Sequence, residues 1–493
     1  MDIITRKIIN PKTFFHKKIY DGKFADEHVE YTEFCQMIDR WKMFFVENYT
    51  PIPGQTVFID VSLNIPFYYA LVFAVAELGL ILIVDWVHCY SADDLDSTRT
   101  KIYGKIDFIV QESYPVSPRL TTYQNLRNIK YCNNLINLED FKNYQIKNHD
   151  QFQTIKNVIL CNPNTVFVIT TSSGTTGEPK VVKETHKKIM DMSRYVGVNL
   201  KFGPDEKIAH LKSLHHGSSM CLFFLPSLFN CWQHYFYAIE SHDKYDEKFI
   251  NFLLTEKINR LFLYSPAMLT GVLQEMPRID HPLKILTLNY ITPTVVEMVK
   301  EKNINMITSS FGDATIGSAF FLKTVTPETD LASYDVSNMG KPLGDFYEFD
   351  LRDSRLYVKS DLLNLDWCTS NDIFTITDDG DYCFHGRADE YRVNSEWISF
   401  ADIDNIVRKV VVSNNAVVVP DLEMQQLYLV VWDLDNYDET VKQLNNIFQE
   451  KFKHIKINFV YKINYVEFYS GRKLDFSKIR AKVRKIFKEK EIL

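Results

Sequence analysis

The run "TTSSGTTGEPK", residues 170–180, decides how the chain is read. From Thr171 it packs five hydroxyls, two glycines and one lysine into a stretch that suits neither a helix nor an ordinary strand. The strand-like "NTVFVIT" precedes it and "KVVKETH" follows, so the run is a loop between two strands. Glycines let backbone N–H groups turn inward, and hydroxyls add donors that rotate to fit. Lys180 contributes a mobile positive charge. Together these are the chemistry of a phosphate cradle. It is not the Walker pattern, because G-x-x-x-x-G-K-[ST] cannot be laid on residues 174–180. A flexible linker would not set a lysine after Gly-x-Pro against a β run.

Outward from the loop, helical and strand periodicities alternate. "YTEFCQMIDRWKMFFVENY" (31–49) has helical spacing, while "QTVFIDVS" (55–62) and "ILIVD" (81–85) read as buried strands. "KFINFLLTEKI", "AMLTGVLQEM" and "PTVVEMVKEK" are helical, and "RLFLYS", "KILTLNYI" and "INMITSSFG" lie between or beside them as strands. Strands alternating with helices predict parallel sheets covered on both faces. From about residue 345 the texture becomes short strands and turns ("FYEFDL", "RLYVKS", "DDGDYCF"), and beyond Arg387 a smaller unit of strands and helices follows. The expected fold class is α/β. A large N-terminal domain of layered α/β sheets with a β-rich subdomain spans 1–386, and a small, mobile α+β C-terminal domain spans 387–493.

Composition narrows the class. The chain has 493 residues, too many for one core, and 56 basic against 63 acidic side chains give −7. That balance lacks the basic footprint of a nucleic-acid binder. The eight cysteines are scattered without metal-ligand spacing and read as reduced core thiols of a cytoplasmic protein. "FYYALVFAVAELGLILIVDWV" (67–87) is the most apolar segment, but Glu77 and Gly79 divide it. It reads as a buried helix feeding a buried strand, so no membrane span is expected. The basic tail from Lys478 reads as a solvated amphipathic helix.

The loop resembles the signature loop of the adenylate-forming superfamily: acyl- and aryl-CoA synthetases, peptide-synthetase adenylation domains and luciferases. Further matches fall in order. They are "YTEFC" (31–35), "SLHHGSSMCLFFLPSLF" (213–229), "SPAMLTGVL" (265–273), "SSFGDATIG" (309–317), "TSNDIFTITDDGDYCFHGRADEYRV" (369–393) and "SGRKLDFSKIR" (470–480). The resemblance implies activation of a carboxylic acid by ATP and Mg²⁺ to an acyl-adenylate, then transfer to a thiol of CoA or of a carrier protein's phosphopantetheine. By the same resemblance Thr171, Ser172, Ser173, Gly174, Thr175, Thr176, Gly177 and Lys180 hold the β- and γ-phosphates. Phe311, with Gly312, Asp313 and Thr315 beside it, stacks on adenine. Asp372 accepts from both ribose hydroxyls, Arg387 contacts ribose or phosphate, and Asp389 is the hinge. Lys473 neutralises charge developing on the α-phosphate and carboxylate oxygens, where two anions must meet. His216 occupies the gate position of the acid pocket.

Departures from the pattern carry information too. Ala314 and Thr315 stand where the family has Thr and Glu, so the usual Mg²⁺ carboxylate is replaced; the metal ligand stays open, with Asp313 the nearest substitute. Asn289 and Tyr290 replace the paired glycines of the acid pocket. Residues 392–399, "RVNSEWIS", run one residue short and carry Ser395 at the expected glycine of the thiolation loop. The gate "LHHGSS" offers no carboxylate for an α-ammonium, which would be costly to bury unpaired. An aryl or acyl acid is therefore expected rather than an ordinary α-amino acid. The sequence shows no carrier domain up to residue 493, so the acceptor is expected in trans, with a free-standing acyl carrier protein one candidate partner. Two alternatives stand beside this reading: a non-thiol acceptor such as an amine, and a non-catalytic nucleotide-binding descendant.

Overall fold

The computed structural model describes residues 9, 12–19, 27–60, 66–84, 106–111, 132–155, 159–171, 181–211, 220–238, 247–263, 266–288, 291–313, 316–387, 391–393, 396–398, 400–411, 416–421, 426–431, 437–452, 457–462, 469–470, 473–474, 482 and 485. These residues form two compact units, one before residue 263 and the other from residue 263 onward. The boundary expected at residue 387 lies inside the second unit.

The first unit opens with the helix Tyr31–Tyr49, whose ends coincide with the periodic run. Phe34, Ile38, Trp41 and Phe45 are fully buried and recur at helical spacing, the stripe an amphipathic helix turns to its core. The helix Pro66–Glu77 has no polar face: every residue from Tyr68 to Leu80 is buried. It ends in a Schellman turn. Leu80 N–H donates to Val75 C=O at 3.0 Å, Gly79 N–H donates to Ala76 C=O at 3.1 Å, and Gly79 takes φ +69°. The strand Ile81–Val84 follows, as the apolar segment predicts. Among the described residues no helix is long and apolar enough to cross a membrane.

Glu77, read in the sequence as a break, is itself buried. It accepts from Lys42 Nζ at 3.0 Å, and both side chains are sealed (0% and 2% exposed). A charge on an otherwise apolar helix is tolerable only with such a partner.

Six strands form one sheet of this unit in the order Cys132–Asn137, Ile106–Gln111, Thr56–Asp60, Ile81–Val84, Val166–Thr171, Val181–Thr185. All neighbours are parallel except the last pair. A second set of strands runs Arg260–Phe262, Lys207–His210, Gln233–Ala238, Phe14–Ile19, all parallel, then Glu27–Glu30 antiparallel. The helix His186–Asn199 starts at a Thr185 cap whose hydroxyl accepts from Lys188 N–H at 3.2 Å. A π-helical turn, Met220–Phe224, leads into the helix Leu225–Asn230.

In the second unit Lys284–Thr287 runs parallel to Met306–Asp313, which pairs antiparallel with Gly317–Val325. The β-rich texture resolves into a four-stranded antiparallel sheet: Glu348–Arg352, Arg355–Ser360, Leu365–Ile376, Tyr382–Arg387. Beyond it, Ala416–Asp421, Gln426–Val431 and Ile457–Lys462 make a three-stranded sheet. The helices Phe400–Val410 and Tyr437–Phe452 share a core with it built from Ile403, Val407, Leu429, Leu444 and Phe448. The helix Phe400–Val410 also lies against the strand Tyr382–Arg387.

Candidate active site

The strands flanking residues 172–180 pair antiparallel, with Thr171 and Val181 as Cα partners. The two flanking strands expected from the sequence are therefore present, and Thr171 ends the first of them. Ser172, Ser173, Gly174, Thr175, Thr176, Gly177 and Lys180 themselves lie outside the described residues. So do His216, Asn289, Tyr290, Ala314, Thr315, Asp389 and Ser395. Lys473 is described in its backbone, paired with Ser470 in a two-stranded ribbon.

The second unit brings three of the expected residues together. Phe311 lies near the end of Met306–Asp313, and the register with Gly317–Val325 shifts between Phe311 and Asp313, so Gly312 occupies a bulge. Bulges re-aim side chains beside functional sites. The ring of Phe311 packs edge-on to Phe374 at 5.4 Å, tilted against Phe384 at 5.1 Å and beside Phe321 at 6.2 Å. Phe374 and Phe384 belong to the hairpin that carries Asp372 and Arg387. On that hairpin Asp372 and Arg387 are Cα partners, and a second bulge falls between Ile373 and Phe374.

Asp372 is buried at 6% exposure, and its own N–H donates to Ser370 Oγ at 3.2 Å. The buried Asp372 carboxylate thus sits on the hairpin that carries Arg387 and packs on Phe311, and its two oxygens can accept two hydrogen bonds. One strand away, Gly317 has no room for a side chain, because a Cβ would fall 2.0 Å from the hydroxyl oxygen of Tyr347. Asp313 is half-buried two residues beyond Phe311.

Sequence reasoning missed a second set of buried polar groups, in the first unit. His210 Nε2 and His234 Nδ1 are 2.9 Å apart on adjacent parallel strands, and both rings are buried. Burial pushes His234 down to about 4 and His210 well below the usual imidazole range. His186, stacked on Phe167 at 4.7 Å, is likewise held down to about 4 by burial. No local pattern marks such residues, since their partners lie on other elements. Cys221, Cys231 and Cys383 are buried.

Comparison with known proteins places this geometry. Residues 23–358 match the model of the family described as AMP-binding enzyme. No curated protein sequence matches the chain. Among solved structures, the chain is similar to the McyG A-PCP protein complexed with phenylalanyl-adenylate, at 14% identity and TM-score 0.75 over 98% of this chain and 96% of that one. It is similar to the anthranilate CoA ligase AuaEII in complex with anthranoyl-AMP, at 13% identity and TM-score 0.73 over 98% and 97%. It is also similar to the O-succinylbenzoate coenzyme A synthetase of Bacillus subtilis in complex with ATP and a magnesium ion, at 15% identity and TM-score 0.71 over 96% and 98%. At these identities the likeness speaks for the fold.

Proposed function

The chain belongs to the AMP-binding enzyme family, the adenylate-forming superfamily, and from that premise we propose that it activates an aryl or acyl carboxylic acid with ATP and hands the acyl group to a thiol. The observation that carries the reading is the convergence of Phe311, Asp372 and Arg387 through the Phe374 and Phe384 contacts. A ring, a buried carboxylate and an arginine are what an adenosine monophosphate needs at its base, ribose and phosphate. Phe311 stacks on adenine, Asp372 accepts from the ribose hydroxyls, and the loop from Thr171 to Lys180 cradles the outgoing phosphates.

In the first step a carboxylate oxygen of the acid attacks the α-phosphorus, a P–O bond forms, and the bond to pyrophosphate breaks. Lys473 neutralises charge building on the α-phosphate and carboxylate oxygens, which otherwise repel. When bound, Mg²⁺ would draw charge from the phosphates, and Asp313 would offer it one carboxylate. In the second step a thiolate attacks the acyl carbonyl and AMP departs. The acceptor is CoA or the phosphopantetheine of a carrier protein. Residues 387–493 act as the lid that turns about Asp389 between the two steps. His216 gates the acid pocket, and the absence of a carboxylate in "LHHGSS" disfavours α-amino acids.

A non-thiol acceptor remains the second reading. Ser395 and the shortened stretch after Asp389 favour it, and one structurally similar protein, at 15% identity, is an amide bond synthetase from Marinactinospora thermotolerans. The test is ATP–pyrophosphate exchange over a panel of aryl, acyl and amino acids with Mg²⁺ varied. Exchange stimulated by aryl or acyl acids supports the reading. Silence across the panel with ATP still bound sinks it in favour of a non-catalytic nucleotide binder.

A further inference from the structure

The strand Leu365–Ile376 carries extra chain where Asp372 sits. Its pairing with Arg355–Ser360 sets Thr369 against Tyr357 and Ile373 against Arg355, so four residue steps on one strand face two on the other. The surplus is taken up between Thr369 and Ile373, and Asp372 lies inside that stretch. Toward its other neighbour Asp372 still pairs with Arg387, and the register shifts again between Ile373 and Phe374. Asp372 is therefore presented from a segment bulged against both neighbouring strands, and a bulge re-aims the side chains it carries.

This segment is pinned at both ends. At its start Asp372 N–H donates to Ser370 Oγ at 3.2 Å, and Ser370 is sealed at 2% exposure. A serine hydroxyl that accepts from the amide two residues on makes a local turn, which stands in for ladder bonding where the ladder is out of step. At its end Phe374 N–H donates to Ser354 C=O at 2.8 Å. Ser354 belongs to the two-residue loop between the paired Arg352 and Arg355, where Asp353 and Ser354 take φ +51° and +60°. Two successive positive φ values mark the type I′ turn that suits the twist of a hairpin. One hydroxyl and one carbonyl thus hold the main chain from Ser370 to Phe374, and the carboxylate of Asp372 rides on it.

We propose that Ser370 is a positioning residue for the nucleotide: its hydroxyl, acting through the Asp372 amide, sets the direction in which the Asp372 carboxylate meets the ribose. The assignment rests on the nucleotide reading above and deepens it. Alanine at this position fills nearly the same space but offers no acceptor, so the Asp372 amide loses that bond and the bulge relaxes. A vicinal diol is read by both carboxylate oxygens at once, so a small change of direction weakens two bonds together.

The test titrates the full chain by calorimetry with ATP, 2′-deoxy-ATP and 3′-deoxy-ATP. The proteins are wild type, Ser370→Ala, Ser370→Thr, Asp372→Ala and the double variant Ser370→Ala with Asp372→Ala. Wild type is expected to bind ATP about tenfold more tightly than either deoxy analogue, as one charge-assisted hydrogen bond allows. Ser370→Ala should lose most of that preference, and Ser370→Thr, which keeps the hydroxyl, should retain it. Once Asp372 is alanine, the change at Ser370 should cost ATP affinity nothing more, because a residue acting through another has no effect in its absence. A serine that served stability alone would leave the ribose preference untouched. The assignment is overturned by a wild type without ribose preference, by an unchanged preference in Ser370→Ala, by its loss in Ser370→Thr, or by losses that add in the double variant. Should the Ala variant fail to fold, Ser370→Cys decides, since its sulfur is only a weak acceptor. The preference must fall there too, and an unchanged one overturns the assignment.

The two readings fail separately. A ribose preference that depends on Ser370, without acid-dependent pyrophosphate exchange, leaves the assignment standing and sinks the acid-activation reading. Exchange driven by an aryl or acyl acid, with the wild-type ribose preference intact in Ser370→Ala, does the reverse.

Discussion

Asp372 and Arg387 stand opposite each other as Cα partners across the antiparallel strands Leu365–Ile376 and Tyr382–Arg387. The bulge immediately after Ile373 lets Phe374 turn toward Phe311, and so joins this pair to the strand that ends at Asp313. Acid, arginine and aromatic ring are thus held by main-chain pairing rather than by loops, the arrangement that keeps a binding constellation rigid.

Replacing Asp372 tests that constellation. Asp372→Ala should weaken ATP binding by about 2 kcal/mol, roughly thirtyfold, because two charge-assisted hydrogen bonds to the ribose are lost. Asp372→Asn should fall between, since one acceptor oxygen remains. Calorimetric titration with ATP reads both. An affinity unchanged in the Ala variant would remove Asp372 from the nucleotide site.

Lys473→Ala separates binding from chemistry. Pyrophosphate exchange is expected to fall about a hundredfold or more, the scale for losing one group that stabilises developing charge on oxygen. ATP affinity should stay near the wild-type value. An unchanged exchange rate would mean that another cation serves the α-phosphate.

Thr315→Glu restores the carboxylate that the family pattern places after Phe311, Gly312, Asp313 and Ala314. Half-maximal exchange should then need about tenfold less Mg²⁺, as one added oxygen ligand of charge would give. No change in the Mg²⁺ dependence would show that this position is not a vacated metal site.

Much of this architecture is legible in the chain, and the parts that are not share one cause. The helix Tyr31–Tyr49 follows from Phe34, Ile38, Trp41 and Phe45 alone, and the central strands follow from β-branched runs such as residues 81–84. The strand that carries Phe311 is likewise legible, in "INMITSSFG". Lys42 is different. Nothing in "RWKMFF" marks it as buried, yet it is fully buried, because its partner Glu77 comes from another helix. The pairing of His210 with His234 hides in the same way. Local periodicity reports which face of an element is apolar; which polar groups meet is decided by packing between elements.

The Lys42–Glu77 pair predicts a non-additive cycle. Lys42→Met leaves Glu77 buried without its cation and should cost about 3–5 kcal/mol. Adding Glu77→Met should recover most of that loss, because a well-packed apolar pair replaces two desolvated charges. Denaturant unfolding of the four proteins reads the coupling. Additive losses would show that the two side chains do not depend on each other.

The buried histidines set how stability responds to acid. His186 is held down from 6.5 to about 4 by burial, His234 to about 4, and His210 well below 6.5. In the unfolded chain each binds a proton near pH 6.5; in the folded chain each resists until about pH 4 or lower. Between those limits the unfolded state holds more protons, so stability is full above about pH 6.5 and falls as pH drops toward 4. His186 alone contributes a fall of about 3 kcal/mol, from a shift between 6.5 and about 4 at 1.36 kcal/mol per unit. Glu184, two residues upstream, works in the other direction. Burial raises its carboxyl, so its protonated form is favoured in the folded chain and it offsets part of the loss as the carboxyl takes up its proton. Leaving Glu184 in place and changing His186→Phe should therefore flatten the curve of melting temperature against pH between 6.5 and 5. Phenylalanine keeps the stacking on Phe167 and carries no proton to bind. A slope identical to wild type would mean that His186 is protonated as readily folded as unfolded.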